Sequence, residues 1–169
     1  PKIEKIFKGK QNISTYNLAL GNESGTIKFN QNEFGHISSV LNISSDNVHY
    51  PKGNGLNQID VEIKTLDSLS LFDGKNKGTS LLKLDVQGYE LEVLKGGEKT
   101  LTNLDYILIE ANLEQLYVNQ PSFTQVNNYV NSLELSSLDV ESGDVYSIIK
   151  GVPSPWVRAY MTKNAIGYP

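Results

Sequence analysis

The 169-residue chain has no cysteine, one methionine, one tryptophan and two histidines. Without cysteine there is no disulfide, no thiolate metal site and no cysteine nucleophile. His36 and His49 stand in a polar stretch and not at zinc spacing, so no metal site is expected. Long apolar runs are also missing, and none approaches the roughly 18–20 residues of a membrane helix. The net charge is −4 and Lys and Arg are not clustered. Phosphate binding needs such clusters, so neither nucleic acid nor membrane is an expected partner. No Walker loop and no Gly-x-Ser-x-Gly elbow occur. No Gly-x-Gly turn follows an apolar strand. The first residues, Pro1-Lys2-Ile3-Glu4-Lys5, lack the apolar core of a secretory leader, and a cytoplasmic protein is expected.

Hydrophobic residues at 38% and charged residues at 20% suit a globular chain, and residues 1–169 read as one domain. Three Asn-x-Ser sequons, at Asn12, Asn22 and Asn42, are read as chance in a chain rich in Asn and Ser. Lys2 to Phe7 has Ile3, Ile6 and Phe7 on one side and predicts an amphipathic helix. Ile13 to Leu20 and Gly25 to Asn30 read as strands. Gln31 to Gly55 is polar and reads as a long loop with a short helix near Ser39 to Leu41. Ile59 to Ile63 alternates as a strand, and Thr65 to Leu69 starts a short helix capped by Asp67 or Thr65. Lys75 to Thr79 reads as a turn.

The run Ser80 to Val86 suits a central, buried strand. Tyr89 to Leu101 has helical spacing, with Gly96-Gly97 marking close packing or a helix end. Tyr106 to Glu110 is another buried strand. Pro121 to Leu133 is a helix with Ser122 as cap and a stripe of Phe123, Val126, Tyr129 and Val130. Leu135 to Val140, Val145 to Ile149 and Val157 to Tyr160 are late strands. Trp156, beside Arg158, reads as a rim packing residue before a sugar platform. The alternation predicts an α/β fold with a largely parallel sheet, helices on both faces, and ligands beyond the carboxyl ends of the strands.

Acids stand at those ends. Leu84-Asp85-Val86-Gln87-Gly88-Tyr89-Glu90 places Asp85 at the end of one strand, and Gly88 permits a sharp turn into the next helix. Glu90 falls in the first helical turn, where negative charge is favoured. Glu110 ends the next strand. In adjacent parallel strands Asp85 and Glu110 converge on one edge. Each alone can also be an ordinary turn former, helix-start charge or solvated carboxylate.

The stretch LLKLDVQGYELEVLKGGEKTL resembles the most recognisable segment of FkbM-type methyltransferases. Lys83, Asp85, Gln87, Gly88, Glu90, Leu94, Lys95 and Gly96 match its pattern. Asn17-Leu18-Ala19-Leu20-Gly21, His36-Ile37-Ser38-Ser39-Val40, Val61 to Leu69, Ile109-Glu110 and Leu116-Tyr117 follow in the family's order, so the resemblance covers roughly residues 1–133. It implies a Rossmann-like methyltransferase sheet and S-adenosylmethionine as cofactor. It also implies O-methylation of a sugar or natural product, with a small-molecule or glycan acceptor as partner. By the same resemblance Ala19 and Leu20 would lie near the adenine, and Asp85 and Gln87 beside the methionine moiety. His36, Ser38 and Ser39 would border the substrate mouth. Asp85, with Glu110, would orient or deprotonate a hydroxyl.

The family opens with a strand, a glycine-rich turn, a helix and a second strand ending in an acid, and these are missing here. The resemblance therefore implies an N-terminally truncated, incomplete sheet, lacking its first two strands and the glycine-rich loop. Such a chain would be inactive alone, with an open sheet edge for self-association or a second chain. Two functions follow: an S-adenosylmethionine-dependent methyltransferase, or a non-catalytic binding or assembly module built on the same fold.

Overall fold

The computed structural model describes residues 2–33, 35–45, 57–71, 78–112, 114–133, 137–138 and 145–150. His49, Trp156, the strand expected at Val157 to Tyr160 and most of the turn expected at Lys75 to Thr79 lie outside them. Helix α1 spans Lys2–Phe7 as expected, but its apolar side is not buried: Ile3 and Ile6 are more than half exposed. Of the strand expected at Ile13 to Leu20, only β1, Ala19–Leu20, pairs. Residues 11–17 are exposed and, among the described residues, pair with no strand, which leaves them irregular.

The first sheet has the order β1-β3-β2. β2 (Gly25–Gln31) runs antiparallel to β3 (Asn57–Lys64) from Gly25↔Ile63 to Gln31↔Asn57, and β1 lies parallel to β3. Period-2 alternation places Ile27 and Phe29 opposite Val61 and Ile59 on one face. Lys28 and Asp60 pair at 2.8 Å on the solvent face, where an exposed ion pair contributes little. Buried Asn30 donates to the carbonyls of Val40 and Leu41 and accepts from Gln58 Nε2. It also exchanges backbone hydrogen bonds with Ser39. The loop after β2 is thereby stitched to the sheet, and its short 3-10 turn is at Gly35–Ile37, not at Ser39 to Leu41.

The second sheet has the order β4-β5-β7-β6, from β4 (Leu81–Leu84), β5 (Tyr106–Asn112), β6 (Ser137–Leu138) and β7 (Val145–Lys150). β4 and β5 are parallel, whereas β7 is antiparallel to both neighbours. The expectation of a largely parallel sheet is corrected: among the described residues three of the five strand pairings are antiparallel. The β4 reading is corrected too. Among the described residues β4 is an edge strand, with Leu81 51% exposed and Leu84 buried.

Helices α2 (Glu90–Lys95), α3 (Glu98–Thr102) and α4 (Phe123–Ser132) supply the core. Val93, Leu94, Leu101, Val126 and Val130 pack with Leu84, Ile107, Ile109 and Ala111. Alternation along β5 turns Ile107, Ile109 and Ala111 toward these helices and leaves Leu108 and Glu110 half-buried on the other face. Among the described residues these helices cover one face of the second sheet, not both. Ser122 caps α4 with the reciprocal Gln125 bond of a capping box.

The Gly96-Gly97 pair does both things its sequence suggested. It divides the helical run into α2 and α3, and it packs closely. A Cβ on Gly96 would run into the Gly21 carbonyl at the end of β1, and one on Gly97 would meet Leu66 Cδ2 at 2.9 Å. The two sheets are therefore held together across glycine backbone. Asp67 reinforces the seam. Its backbone N–H donates to the Gly96 carbonyl, and its carboxylate accepts the Thr100 and Lys99 N–H groups at 2.8 and 3.2 Å. It thus caps α3, whose own N-cap residue is Gly97 and has no side chain to do so, while Thr65 Oγ1 caps the turn before it by accepting the Ser68 N–H.

Burial works against the Asp67 charge, but the Thr100 and Lys99 hydrogen bonds outweigh it and hold the carboxyl below its usual 3.8. Its contribution is therefore present above 3.8 and is lost as the pH falls below that. Asp67→Ala is expected to lower unfolding stability by about 1–2 kcal/mol at pH 7. In denaturant titrations at several pH values the gap from wild type should close below pH 3.8.

Candidate active site at the end of strand β4

The site follows from the parallel register of two strands. Lys83 lies beside Leu108 and Leu84 beside Ile109. One step further sets Asp85 beside Glu110, on the sheet face opposite the helices. Lys83 shares that face because it is two residues from Asp85. Its ammonium lies 3.1 Å from Asp85 Oδ2 and 4.0 Å from Glu110 Oε2. The two carboxyls are close enough for each to shift the ionisation of the other.

The turn after β4 aims Asp85. Gln87 and Gly88 take positive φ angles, 54° and 94°. Any Cβ at position 88 would also press on Tyr117, Leu41 and Gln120 at 3.1–3.3 Å, so glycine is required there. Glu90, 4% exposed, reaches back from α2 and accepts the N–H groups of Val86 and Gly88 at 3.2 and 3.1 Å. Burial pushes its carboxyl up, and those N–H bonds offset part of the rise. Its work is to close the turn. Gln87 Nε2 then donates to Asp85 Oδ1 at 2.8 Å.

Ala19 and Leu20 stand on β1, in the other sheet. The adjoining Gly21 lies close to the ring of Tyr89, so the end of β1 meets the turn after β4. His36 is exposed in the 3-10 turn, and Ser38 Oγ accepts the Asn32 N–H. Ser39 is 1% exposed and donates to the Gln87 carbonyl at 2.7 Å. Tyr117, also 1% exposed, donates to Gln87 Oε1 at 2.9 Å. Neither Lys83 nor Tyr117 was singled out as a site residue from sequence. Period-2 spacing from Asp85 was the available signal for Lys83. Tyr117 reaches the turn across thirty positions, so no local pattern marks it. Gly88 also lines a cavity of about 440 Å³ with Tyr89, Glu92, Lys95 and Gln120.

The two acids are driven apart. At Asp85 burial opposes ionisation, but Lys83, Gln87 and Glu110 outweigh it and hold the carboxyl low. At Glu110 burial comes first, and the charge of Asp85 adds to it, pushing the carboxyl up to about 7. Near neutral pH the site thus holds a fixed carboxylate beside an acid close to half-protonated, which is a pairing suited to general acid–base work. Among the described residues no group of three or more His, Cys, Asp or Glu can hold a metal ion.

Because Glu110 binds its proton more tightly in the folded chain, wild-type stability falls as pH rises from about 4.5 to about 7. Glu110→Gln lacks that loss, so its melting temperature should gain on wild type through this window and hold steady above it. Gly88→Ala is expected to cost about 1–3 kcal/mol in denaturant unfolding.

Residues 1–136 match the model of the Methyltransferase FkbM domain. No curated protein and no solved structure matches the chain. Among the described residues no helix is long and apolar enough to cross a membrane. The match takes in β1 to β5, α4 and both acids of the site, and the chain belongs to the FkbM methyltransferase family.

Proposed function

We propose that this chain carries the acceptor-side half of an S-adenosylmethionine-dependent O-methyltransferase acting on a hydroxyl of a sugar or natural product. The observation that supports it most is the Asp85–Glu110 pair at the ends of β4 and β5 in a chain of this family. In this reading the strands belong to a Rossmann-like sheet and residues 1–169 form one partial domain. Among the described residues β4 joins a strand on one side, and in this reading its other edge is where a further strand or a second chain adds.

The donor set suits the cationic end of the cofactor. Asp85 is ionised, and Leu20 and Gln87 flank the junction at Gly21 and Tyr89. When bound, the cofactor would supply a methyl group on a sulfonium. Asp85 is too acidic to be a strong base, so its work is to orient the acceptor hydroxyl. Glu110, titrating at about 7, is the better proton acceptor. Lys83 limits the negative charge of the pair. His36 and Ser38 would border the acceptor.

The second reading, a non-catalytic binding or assembly module, is favoured by the missing Gly-x-Gly turn, since the ribose end of the cofactor has no cradle in these residues. Calorimetry and methyl-transfer assays separate the two. The 169-residue chain alone should give little saturable heat with S-adenosylmethionine. With an upstream cofactor-binding segment restored, it should transfer methyl groups to a panel of hydroxyl acceptors. That turnover should rise as the pH passes about 7, where Glu110 loses its proton. Asp85→Ala and Glu110→Gln should each lower it by about 10²–10⁴-fold. Unchanged turnover in both variants would remove the acid pair from the reaction, and no transfer by the restored protein would favour the binding module.

A further inference from the structure

Gln87 is a long-chain residue in the left-handed region, which side chains with a Cβ seldom occupy unless surrounding contacts hold them there. Here the contacts come from two distant loops. Ser39 Oγ donates to its carbonyl at 2.7 Å and Tyr117 Oη to its Oε1 at 2.9 Å, while its Nε2 donates to Asp85 Oδ1 at 2.8 Å. Both loop residues are 1% exposed. Tyr117 is itself well fixed. The N–H groups of Leu116 and Tyr117 donate to Gln120 Oε1. Val118 N donates to the Asn42 carbonyl and Ser44 N to that of Leu116, lacing this segment to the loop that carries Ser39.

A carboxamide has a donor end and an acceptor end, and nothing in its shape says which faces which neighbour. Asp85 as a carboxylate offers only acceptors. Tyr117 fixes the same orientation from the other end, because its phenolic O–H donates to the carbonyl oxygen and draws it away from the carboxylate. The Ile37 carbonyl, at 3.3 Å, is a longer contact of the same hydroxyl. With the carbonyl end so engaged, the NH2 end is left for Asp85. Turned over, the amide would set its oxygen against the carboxylate.

We propose that Tyr117 is a positioning residue of the acid site: its hydroxyl orders the Gln87 carboxamide with NH2 toward Asp85, and so adds to the Lys83 ammonium in keeping Asp85 the ionised member of the Asp85–Glu110 pair. The groups that face Asp85 are the Lys83 ammonium, the Gln87 amide and the carboxyls of Glu110 and Glu90. Of these, the amide is the uncharged group that can present either a donor or an acceptor at every pH of the titration. The consequence for turnover rests on the methyltransferase reading above, but the ordering itself does not.

The test is a ¹³C-carboxyl NMR titration of the full 169-residue chain without cofactor, in wild type, Tyr117→Phe, Gln87→Met and the double variant. Tyr117→Phe removes one oxygen and keeps the ring against Gly88. The lower midpoint of the pair should rise by about 0.5 pH unit or more in each single variant, with the upper midpoint little moved. The double variant should show no further rise, because both changes break one chain of bonds. A Tyr117→Phe titration that overlays wild type, or shifts that add in the double variant, would overturn the proposal. One measurement needs no variant: in wild type the Gln87 side-chain amide protons should shift with the lower midpoint, and indifference to it overturns the proposal as well. If the titrations behave as expected while Asp85→Ala and Glu110→Gln leave methyl transfer unchanged, the functional reading falls and the positioning role stands.

Discussion

The buried carboxylate of Glu90 bonds the N–H groups of Val86 and Gly88, and the geometry of the site depends on that closure. The chain must leave β4 and enter α2 within a few residues, on backbone whose N–H groups point away from any strand partner. Buried donors of that kind are costly unless bonded. One side chain from the next helix answers both. With the turn closed, Gln87 and Gly88 are confined to positive φ, and Asp85 is presented toward Glu110 and away from the helical core. The carboxyl of Glu90 is therefore structural, although it stands close to Asp85 in the sequence.

A second constraint holds the sheets in place relative to one another. The first sheet ends at Gly21 and Leu66-Asp67, and the second leads into Gly96-Gly97. These segments touch through backbone, with no room for a Cβ at Gly96 and little at Gly97. Close contact of this kind transmits position better than long side chains do. It also brings Gly21 against Tyr89, so the end of β1 and the turn after β4 share one neighbourhood despite lying on separate sheets.

Much of this was legible in the sequence. The α4 boundaries and Ser122 cap, the β2 and β3 alternation, the Gly96-Gly97 break and the meeting of Asp85 with Glu110 all follow from local chemistry and period. What failed was whatever depended on partners. Ile13 to Leu20 reads as a strand, but among the described residues only Ala19 and Leu20 of it pair with another strand. Leu81 to Leu84 is apolar like a central strand, yet only one of its edges is paired among the described residues. Asp67 suggested a cap for its own turn, but its carboxylate serves a helix thirty residues later. Ser39 and Tyr117 reach the site by loop closure, and loop closure leaves no period to read.

The recognisable block from Lys83 to Gly97 can now be read as physics, residue by residue. Lys83 and Asp85 share a face because strands have period two. Gln87 turns the carboxamide that meets Asp85, and Gly88 tolerates a conformation and a crowding that a Cβ would not. Glu90 closes the turn, Leu94 fills the core, and Gly96 lets the first sheet approach. Of these, Lys83, Gln87, Gly88 and Glu90 fix where Asp85 stands, and Lys83 and Gln87 also keep it ionised. Its partner Glu110 comes from a different strand, and the group that orders Gln87 comes from a loop further on. The asymmetry between two like acids is thus a product of tertiary structure, made by one amide and one ammonium on the Asp85 side and by burial on the Glu110 side.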